Sequence, residues 1–221
     1  MQNVRLWYKK EGLAKYQAHL DLVRCFSRTL RKAGIPFWYT EGFNPRPYLT
    51  FSLPLSLGQE GVHEPVDIRL IEDMDFDEIV KRMNKHLPTG IEILEATEPK
   101  MDHKEIVWAE YEMQLEFTSE EDAKNFAEIS NRLVSSGELE AQKKTKKGTM
   151  KTINLCEMID TFNASSEGLN AYVKTVISAG PAINLNAELL LNTLESACSV
   201  EDYIRNIRRI KLMGDKKQQF C

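Results

Sequence analysis

The chain has 221 residues, of which 42% are hydrophobic and 28% are charged, an ordinary composition for a folded globular protein. This composition excludes large-scale disorder, and no apolar run approaches the roughly 20 residues that a membrane-spanning helix needs. The sequence begins MQNVRLWYKK, without the apolar segment of a secretory signal, so we expect a cytoplasmic protein with no membrane partner.

Basic residues are concentrated in the first part of the chain. Residues 1–50 contain nine Lys and Arg side chains and three acidic ones, which gives a net charge of +6. The whole chain carries −4, so the remaining 171 residues carry −10. This asymmetry favours an anionic partner for the first fifty residues and carries no information about the fold.

The hydrophobic pattern of the first half predicts a regular series of strands and helices. Apolar residues alternate at 4–10 and at 66–71, as they do in strands. They recur every four residues at 18–33, as in a helix, and Gly34 is suited to end that helix. The other predicted elements are strands at 37–40, 48–53 and 91–96 and a helix at 75–87.

The second half repeats this order without repeating the sequence. Its best strand pattern lies at 107–117, and Thr118 or Ser119 is placed to cap the helix that follows. The other predicted elements are strands at 138–145, 149–155, 170–178 and 204–213 and a helix at 185–194. This order is typical of the ferredoxin-like split β-α-β arrangement. We therefore expect an α+β protein of two tandem ferredoxin-like units with antiparallel sheets, at 1–98 and 104–221.

The predicted first helix separates apolar from basic residues. At 100° per residue, four basic residues fall within about a third of its circumference: Arg24, Arg28, Arg31 and Lys32. A row of guanidinium groups suits phosphate, because each presents a planar fork of hydrogen-bond donors. The alternative is a solvated charged face in which Asp21 pairs with a neighbouring basic residue.

The loop after this helix, at 41–47, is predicted to be rigid. Its two prolines fix φ on either side of Arg46, and the first of them pushes Asn44 toward an extended conformation. The aromatic residues in and before the loop are Phe37, Trp38, Tyr39 and Phe43. Preset polar groups among aromatic rings suit a base, a nucleotide or a peptide. The alternative is a well-made turn between strands.

Residues with catalytic or metal-binding chemistry are scattered along the sequence. His19, at the start of the first helix, has the chemistry of a general base or a phosphate ligand, but a lone histidine there is more often structural. The four cysteines and the other histidines have no partner at metal-ligand spacing. The sequence contains no P-loop, dinucleotide-binding, nucleophile-elbow or zinc-protease motif. We expect no metal and no cofactor, and the sequence favours a protein without catalytic activity of its own while leaving that question open.

Residues 15–58 have the features of a known family. They read KYQAHLDLVRCFSRTLRKAGIPFWYTEGFNPRPYLTFSLPLSLG, with His-Leu-Asp at the helix start and Gly-Phe-Asn-Pro before a proline-containing strand. This stretch resembles the radical SAM-associated family, a domain of unknown function found fused to or beside radical SAM proteins. The resemblance implies an accessory or substrate-binding role, and not cluster chemistry, since the cluster cysteines are missing. Ala18 stands where relatives commonly carry serine, which implies a weaker N-cap here.

Three functions remain open at this point. The first is a binding module that presents RNA (tRNA or rRNA) or a ribosomal component to a radical SAM partner. The second is a protein-interaction subunit of that partner. The third is a metal-independent endoribonuclease, because tandem ferredoxin-like units with a histidine on the first helix resemble CRISPR-repeat processing enzymes, although their glycine-rich segment is missing here.

The first function predicts one concave, positively charged site on the first helix and the loop after it. The residues expected to bind the ligand are His19, Asp21, Arg24, Arg28, Arg31, Tyr39, Phe43, Asn44 and Arg46.

We predict that the purified protein contains no stoichiometric metal, because its Cys and His residues are scattered. The measurement is elemental analysis of the protein after dialysis against metal-free buffer. One zinc or iron atom per chain would contradict the prediction.

Overall fold

The computed structural model describes residues 1–144, 150–200 and 203–221. These residues form two compact units, Met1–His103 together with Cys221, and Lys104–Phe220. No helix in the described ranges combines the length and the apolarity needed to cross a membrane.

The first unit has four strands and two helices. They are β1 (Gln2–Lys10), α1 (His19–Lys32), β2 (Leu49–Phe51), β3 (Gln59–Leu70), α2 (Phe76–Asn84) and β4 (Ile91–Thr97). β1 pairs antiparallel with β3 and with β4, and β2 pairs antiparallel with β3. The strand order within this unit is therefore β4-β1-β3-β2.

Alternation along the strands builds the core of the first unit. Val4, Leu6 and Tyr8 of β1 are buried beside alternate residues of β3 and the apolar face of α1. The α1 and β3 members of this core are Leu22, Phe26, Leu30, Val66, Ile68 and Leu70. Because α1 contributes one face to the core, its opposite face is left to solvent.

A buried ion pair lies among the strand residues whose side chains point away from this core. The Arg5 guanidinium donates to both oxygens of Asp67, with Nε–Oδ1 at 2.7 Å and Nη2–Oδ2 at 2.9 Å. It also donates to main-chain oxygens of Met101 (2.9 Å) and Cys221 (2.6 Å). One guanidinium therefore joins β1, β3 and the segment after β4.

The described residues of the second unit form six strands and two α-helices. They are β5 (Trp108–Glu116), α3 (Glu120–Ser136), β6 (Glu140–Lys144), β7 (Met150–Asn154), β8 (Ile159–Glu167), β9 (Asn170–Ser178), α4 (Ala187–Cys198) and β10 (Ile204–Met213). Antiparallel pairs give the order β10-β5-β9-β8, and β6 pairs with β7 in a separate hairpin. With this hairpin set aside, the order repeats that of the first unit.

The predicted mixture of helices and mostly antiparallel strands is confirmed. Ser119 is the cap of α3, since its hydroxyl accepts from the backbone N–H groups of Glu121 and Asp122. Ala18, by contrast, gives α1 no side-chain cap. The helix predicted at 185–194 begins at Ala187 and continues to Cys198.

Three strand predictions needed correction. β8 was not predicted, because its sequence IDTFNASSE is largely polar and exposed and lacks apolar alternation. β3 begins at Gln59 rather than at 66, and residues 37–40 form only two isolated bridges, Phe37 with Leu70 and Tyr39 with Pro47. Residues 145 and 149, at the ends of two predicted strands, lie outside the described residues.

We predict that Asp67→Ala lowers the free energy of unfolding by about 3–5 kcal/mol, because it removes the carboxylate that accepts two hydrogen bonds from the buried Arg5 guanidinium. The matched control is Asp21→Ala, which breaks an Arg–Asp pair whose side chains are 67% and 54% exposed. An exposed pair of this kind contributes at most about 1 kcal/mol. Urea unfolding of both variants measures the difference, and equal losses would contradict the prediction.

Candidate functional site

A groove with a cavity volume of about 860 Å³ runs beside α1. One wall is the exposed face of α1 and the other is the segment 40–50. The guanidinium-bearing residues that line it are Arg24, Arg28, Arg31 and Arg46. No acidic residue is among the residues that line the groove. Its polar hydroxyl groups come from Ser27, Thr40, Tyr48 and Thr50.

The four arginines differ in how far they are already engaged. Arg24 donates to the exposed Asp21 carboxylate at 2.9 Å, a pair that water screens and that opens readily. Arg31 donates to the Tyr39 hydroxyl at 3.1 Å, and its guanidinium lies 5.9 Å from the centre of that ring. The side chains of Arg28 and Arg46 make no hydrogen bond or ion pair to any described residue. These two groups are the most available to an anion.

Backbone hydrogen bonds hold the loop that carries Arg46. The N–H of Thr40 donates to the Arg46 carbonyl at 2.8 Å, and the N–H of Arg46 donates to the Thr40 hydroxyl at 3.1 Å. Beyond this closure, the N–H of Tyr48 donates to the Trp38 carbonyl at 3.0 Å. Gly42 has φ at +126°, a conformation that residues with a side chain rarely adopt. The second wall of the groove is therefore defined by the backbone.

The other residues predicted for the site lie outside the groove lining. His19 is exposed at the start of α1, with its ring edge-on to Phe51 at a centroid distance of 5.3 Å. Asn44 and Phe43 are exposed on the loop, and Asp21 lies on the other flank of α1. The structure thus brings the four arginines together but does not bring His19 or Asn44 among them.

A second hollow, of about 430 Å³, lies on the other flank of α1. It shares Arg24 and Arg28 with the groove and adds Lys32, His86 and Cys25. Burial raises the pKa of the Cys25 thiol above its ordinary value, against the opposing influence of neighbouring hydrogen bonds and of the Arg28 charge. The basic face of α1 is therefore a ridge between two concave surfaces.

Sequence reasoning missed an aromatic cluster at the end of the groove. The Arg69 guanidinium lies 4.9 Å from the Tyr48 ring centre and 5.3 Å from that of Trp38. Its Nε donates to the Asn3 side chain at 3.0 Å. Tyr48 also lines a hollow of about 410 Å³ on the strand face that carries Arg69, so it borders both cavities. The only signal in the sequence was that Arg69 alternates with buried residues of β3.

The groove lining offers positive charge and hydroxyl groups that can donate or accept hydrogen bonds. Its lining contains no histidine, cysteine or carboxylate that could act as a general base. Within the described ranges, no group of three or more His, Cys, Asp or Glu side chains is arranged to hold a metal ion. The arrangement can bind and orient an anion.

We predict that the Cys25 thiol reacts more slowly with a disulfide reagent than the exposed Cys221 thiol does. The raised pKa of Cys25 leaves fewer reactive thiolates at a pH near about 8.5, the ordinary thiol value. The reaction rates are measured in two variants, each of which keeps one of these two cysteines. The ratio of the Cys221 rate to the Cys25 rate should fall as the pH rises. A faster Cys25 would contradict the prediction.

The fold and the sequence can be compared with known proteins. A chain in the crystal structure of a Cbf5-Nop10-Gar1 complex is 11% identical, with a TM-score of 0.51, and the match covers 95% of this chain. That match covers 48% of the other chain, so this protein spans about half the length of that relative, and the likeness concerns the fold alone. An unknown protein from Galdieria sulphuraria is 10% identical over 94% of this chain and 98% of its own, with a TM-score of 0.27.

The search of curated proteins found no significant match. Residues 3–187, more than half of the sequence, match the family described as "uncharacterized protein conserved in bacteria (DUF2344)". The chain belongs to the DUF2344 family.

Proposed function

We propose that this protein is a binding module that holds RNA by its phosphates in the groove beside α1. The observation that carries the proposal is the set of four arginines lining one groove without an acidic neighbour in that lining. Guanidinium groups bind phosphate through paired N–H donors, and such bonds to charged groups are stronger than neutral ones.

The spacing of the arginines favours a ligand with several negative charges. Arg24 and Arg28 are one helical turn apart, about 6 Å along the axis of α1. Arg46 approaches from the opposite wall. A nucleic-acid backbone presents a series of phosphates that can meet several of these groups.

Binding is better supported than cleavage. An endoribonuclease that works without a metal needs a general base near the scissile phosphate. His19, the residue that could supply one, is outside the groove lining and packs edge-on to Phe51. The proposal therefore assigns the groove to recognition.

We also infer that both units are ferredoxin-like, as their strand orders support. Along the chain of each unit, a helix follows the first strand and another helix precedes the last strand. The orders β4-β1-β3-β2 and β10-β5-β9-β8 correspond position by position. The split β-α-β arrangement has this pattern.

The proposed partner is a radical SAM protein. The support is the resemblance of residues 15–58 to the radical SAM-associated family. These residues include α1 and both walls of the groove. In this proposal the module holds RNA, or the RNA of a ribosomal component, for chemistry that the partner performs.

We predict that Arg28→Ala/Arg46→Ala weakens RNA binding at least about tenfold, because two charge-assisted contacts are lost. The dependence of log affinity on log salt should also become shallower by about 1.4, since each phosphate contact on a single strand contributes about 0.7. Fluorescence anisotropy with labelled oligoribonucleotides at several salt concentrations measures both. The melting temperature should stay within a few degrees of wild type, because both side chains are exposed.

The matched control is Lys81→Ala/Lys85→Ala on and beside α2, which removes the same charge from an exposed surface outside the groove lining. An equal loss of affinity in this control would show that binding reflects net charge and would overturn the groove assignment. Unchanged RNA binding in the arginine variant, together with loss of a protein partner, would favour the protein-interaction function.

A further inference from the structure

Phe43 is a fully exposed aromatic residue at the tip of the loop between Thr40 and Arg46. Other aromatic residues of the first unit, such as Trp7, Phe26 and Phe37, are buried in its packing. Phe43 contributes nothing to that core, and its neighbours Gly42 and Asn44 are also exposed. The fold therefore gives no structural reason for an apolar ring at this position.

We propose that the RNA held in the groove is single-stranded and that one of its bases stacks on the Phe43 ring. This inference rests on the proposed function and names the class of RNA. A base can stack on a protein ring only when its own face is free, and in a duplex the neighbouring bases cover both faces. Aromatic platforms beside a positively charged groove are the usual means of binding single strands.

The loop geometry suits a stacking platform. Two hydrogen bonds between Thr40 and Arg46 close the loop, and Pro45 and Pro47 restrict the backbone on either side of Arg46. A ring on a restrained loop loses little conformational entropy when it binds. Arg46 is three residues from Phe43, so one short loop presents both a stacking surface and a phosphate ligand.

The size of the exposed ring also favours a base over a protein. One phenylalanine buries at most about 250 Å², whereas a stable protein interface needs about 800 Å² on each partner. Its loop neighbours include the polar residues Glu41, Asn44 and Arg46. A single ring matches a single base in area.

The test uses the full chain with a labelled oligouridylate, the same oligonucleotide without bases, and a duplex of equal length. Phe43→Ala should weaken binding of the oligouridylate by about 5- to 150-fold, the range measured for single base–aromatic stacks. Its salt dependence should match that of wild type, since no phosphate contact is lost. Phe43→Leu, which keeps the apolar character, should lose affinity as Phe43→Ala does, and Phe43→Trp should retain it.

Phe43→Trp also gives a direct signal. The fluorescence of the new tryptophan is obtained by subtracting the wild-type spectrum, which contains only the native tryptophans. This fluorescence should be quenched by the oligouridylate and not by the base-free strand. All three variants should melt at the wild-type temperature, because the ring is exposed. That shared melting temperature separates a binding effect from a folding effect.

Two results would overturn the stacking proposal and leave the groove assignment standing. The first is that Phe43→Ala binds the oligouridylate as tightly as wild type does. The second is that wild type binds the duplex or the base-free strand as tightly as the oligouridylate. In both cases Arg28→Ala/Arg46→Ala still weakens binding. Absence of RNA binding by wild type would overturn both proposals. A Phe43→Trp signal with anionic lipid vesicles, and none with the oligouridylate, would identify a membrane surface and overturn the stacking proposal.

Discussion

The groove depends on the burial of one face of α1 against β1 and β3. Leu22, Phe26 and Leu30 are almost wholly removed from water, and burial of each such side chain contributes about 1.5–3 kcal/mol. Turning the helix so that its arginines faced the strands would expose these residues and bury unpaired charge, which is far more costly. The guanidinium groups therefore point to solvent as a consequence of hydrophobic packing, without a separate interaction that orients them.

The opposite wall has a different physical origin. The loop that carries Arg46 is held by main-chain hydrogen bonds and by proline, and its exposed side chains contribute little to the core. The proposed binding residues and the core are therefore largely different residues in the first unit. Apolar residues and the Arg5–Asp67 pair hold its elements together, whereas Arg28, Arg46 and Phe43 are exposed and outside the core.

The sequence predicted the helices and strands that bury one face and expose the other. The bounds predicted for β9 and β10 agree with the structure, and α1 differs only at its ends, because apolar periodicity is a direct readout of burial. β8 escaped prediction because its strand is mostly exposed and polar, so hydrogen-bonding to β9 rather than patterning defines it. A strand or helix without a buried face has no clear hydrophobic pattern in its sequence.

The sequence predicted only those parts of the site that depend on residues close together in the chain. Helical spacing places Arg24, Arg28 and Arg31 on one face, and Arg46, which was predicted for the same site, lines the same groove. The position of His19 depends on its contact with Phe51, and the Arg69 cluster depends on the pairing of Asn3 with Arg69 across two strands. Contacts between residues so far apart in sequence follow from strand register, which a single sequence does not specify.

In the proposed function, the charge distribution of the chain bears on the selectivity of the groove. Residues 1–50 carry +6 and the rest of the chain −10, so the protein as a whole does not attract a polyanion. At physiological ionic strength, exposed charges more than about 8 Å apart are largely screened. A phosphate inside the groove would therefore interact chiefly with the arginines around it. Under the proposed function, RNA would gain affinity by fitting this local surface, and stacking on an uncharged exposed ring such as Phe43 would raise the affinity for bases without adding to the charge-driven, non-specific attraction.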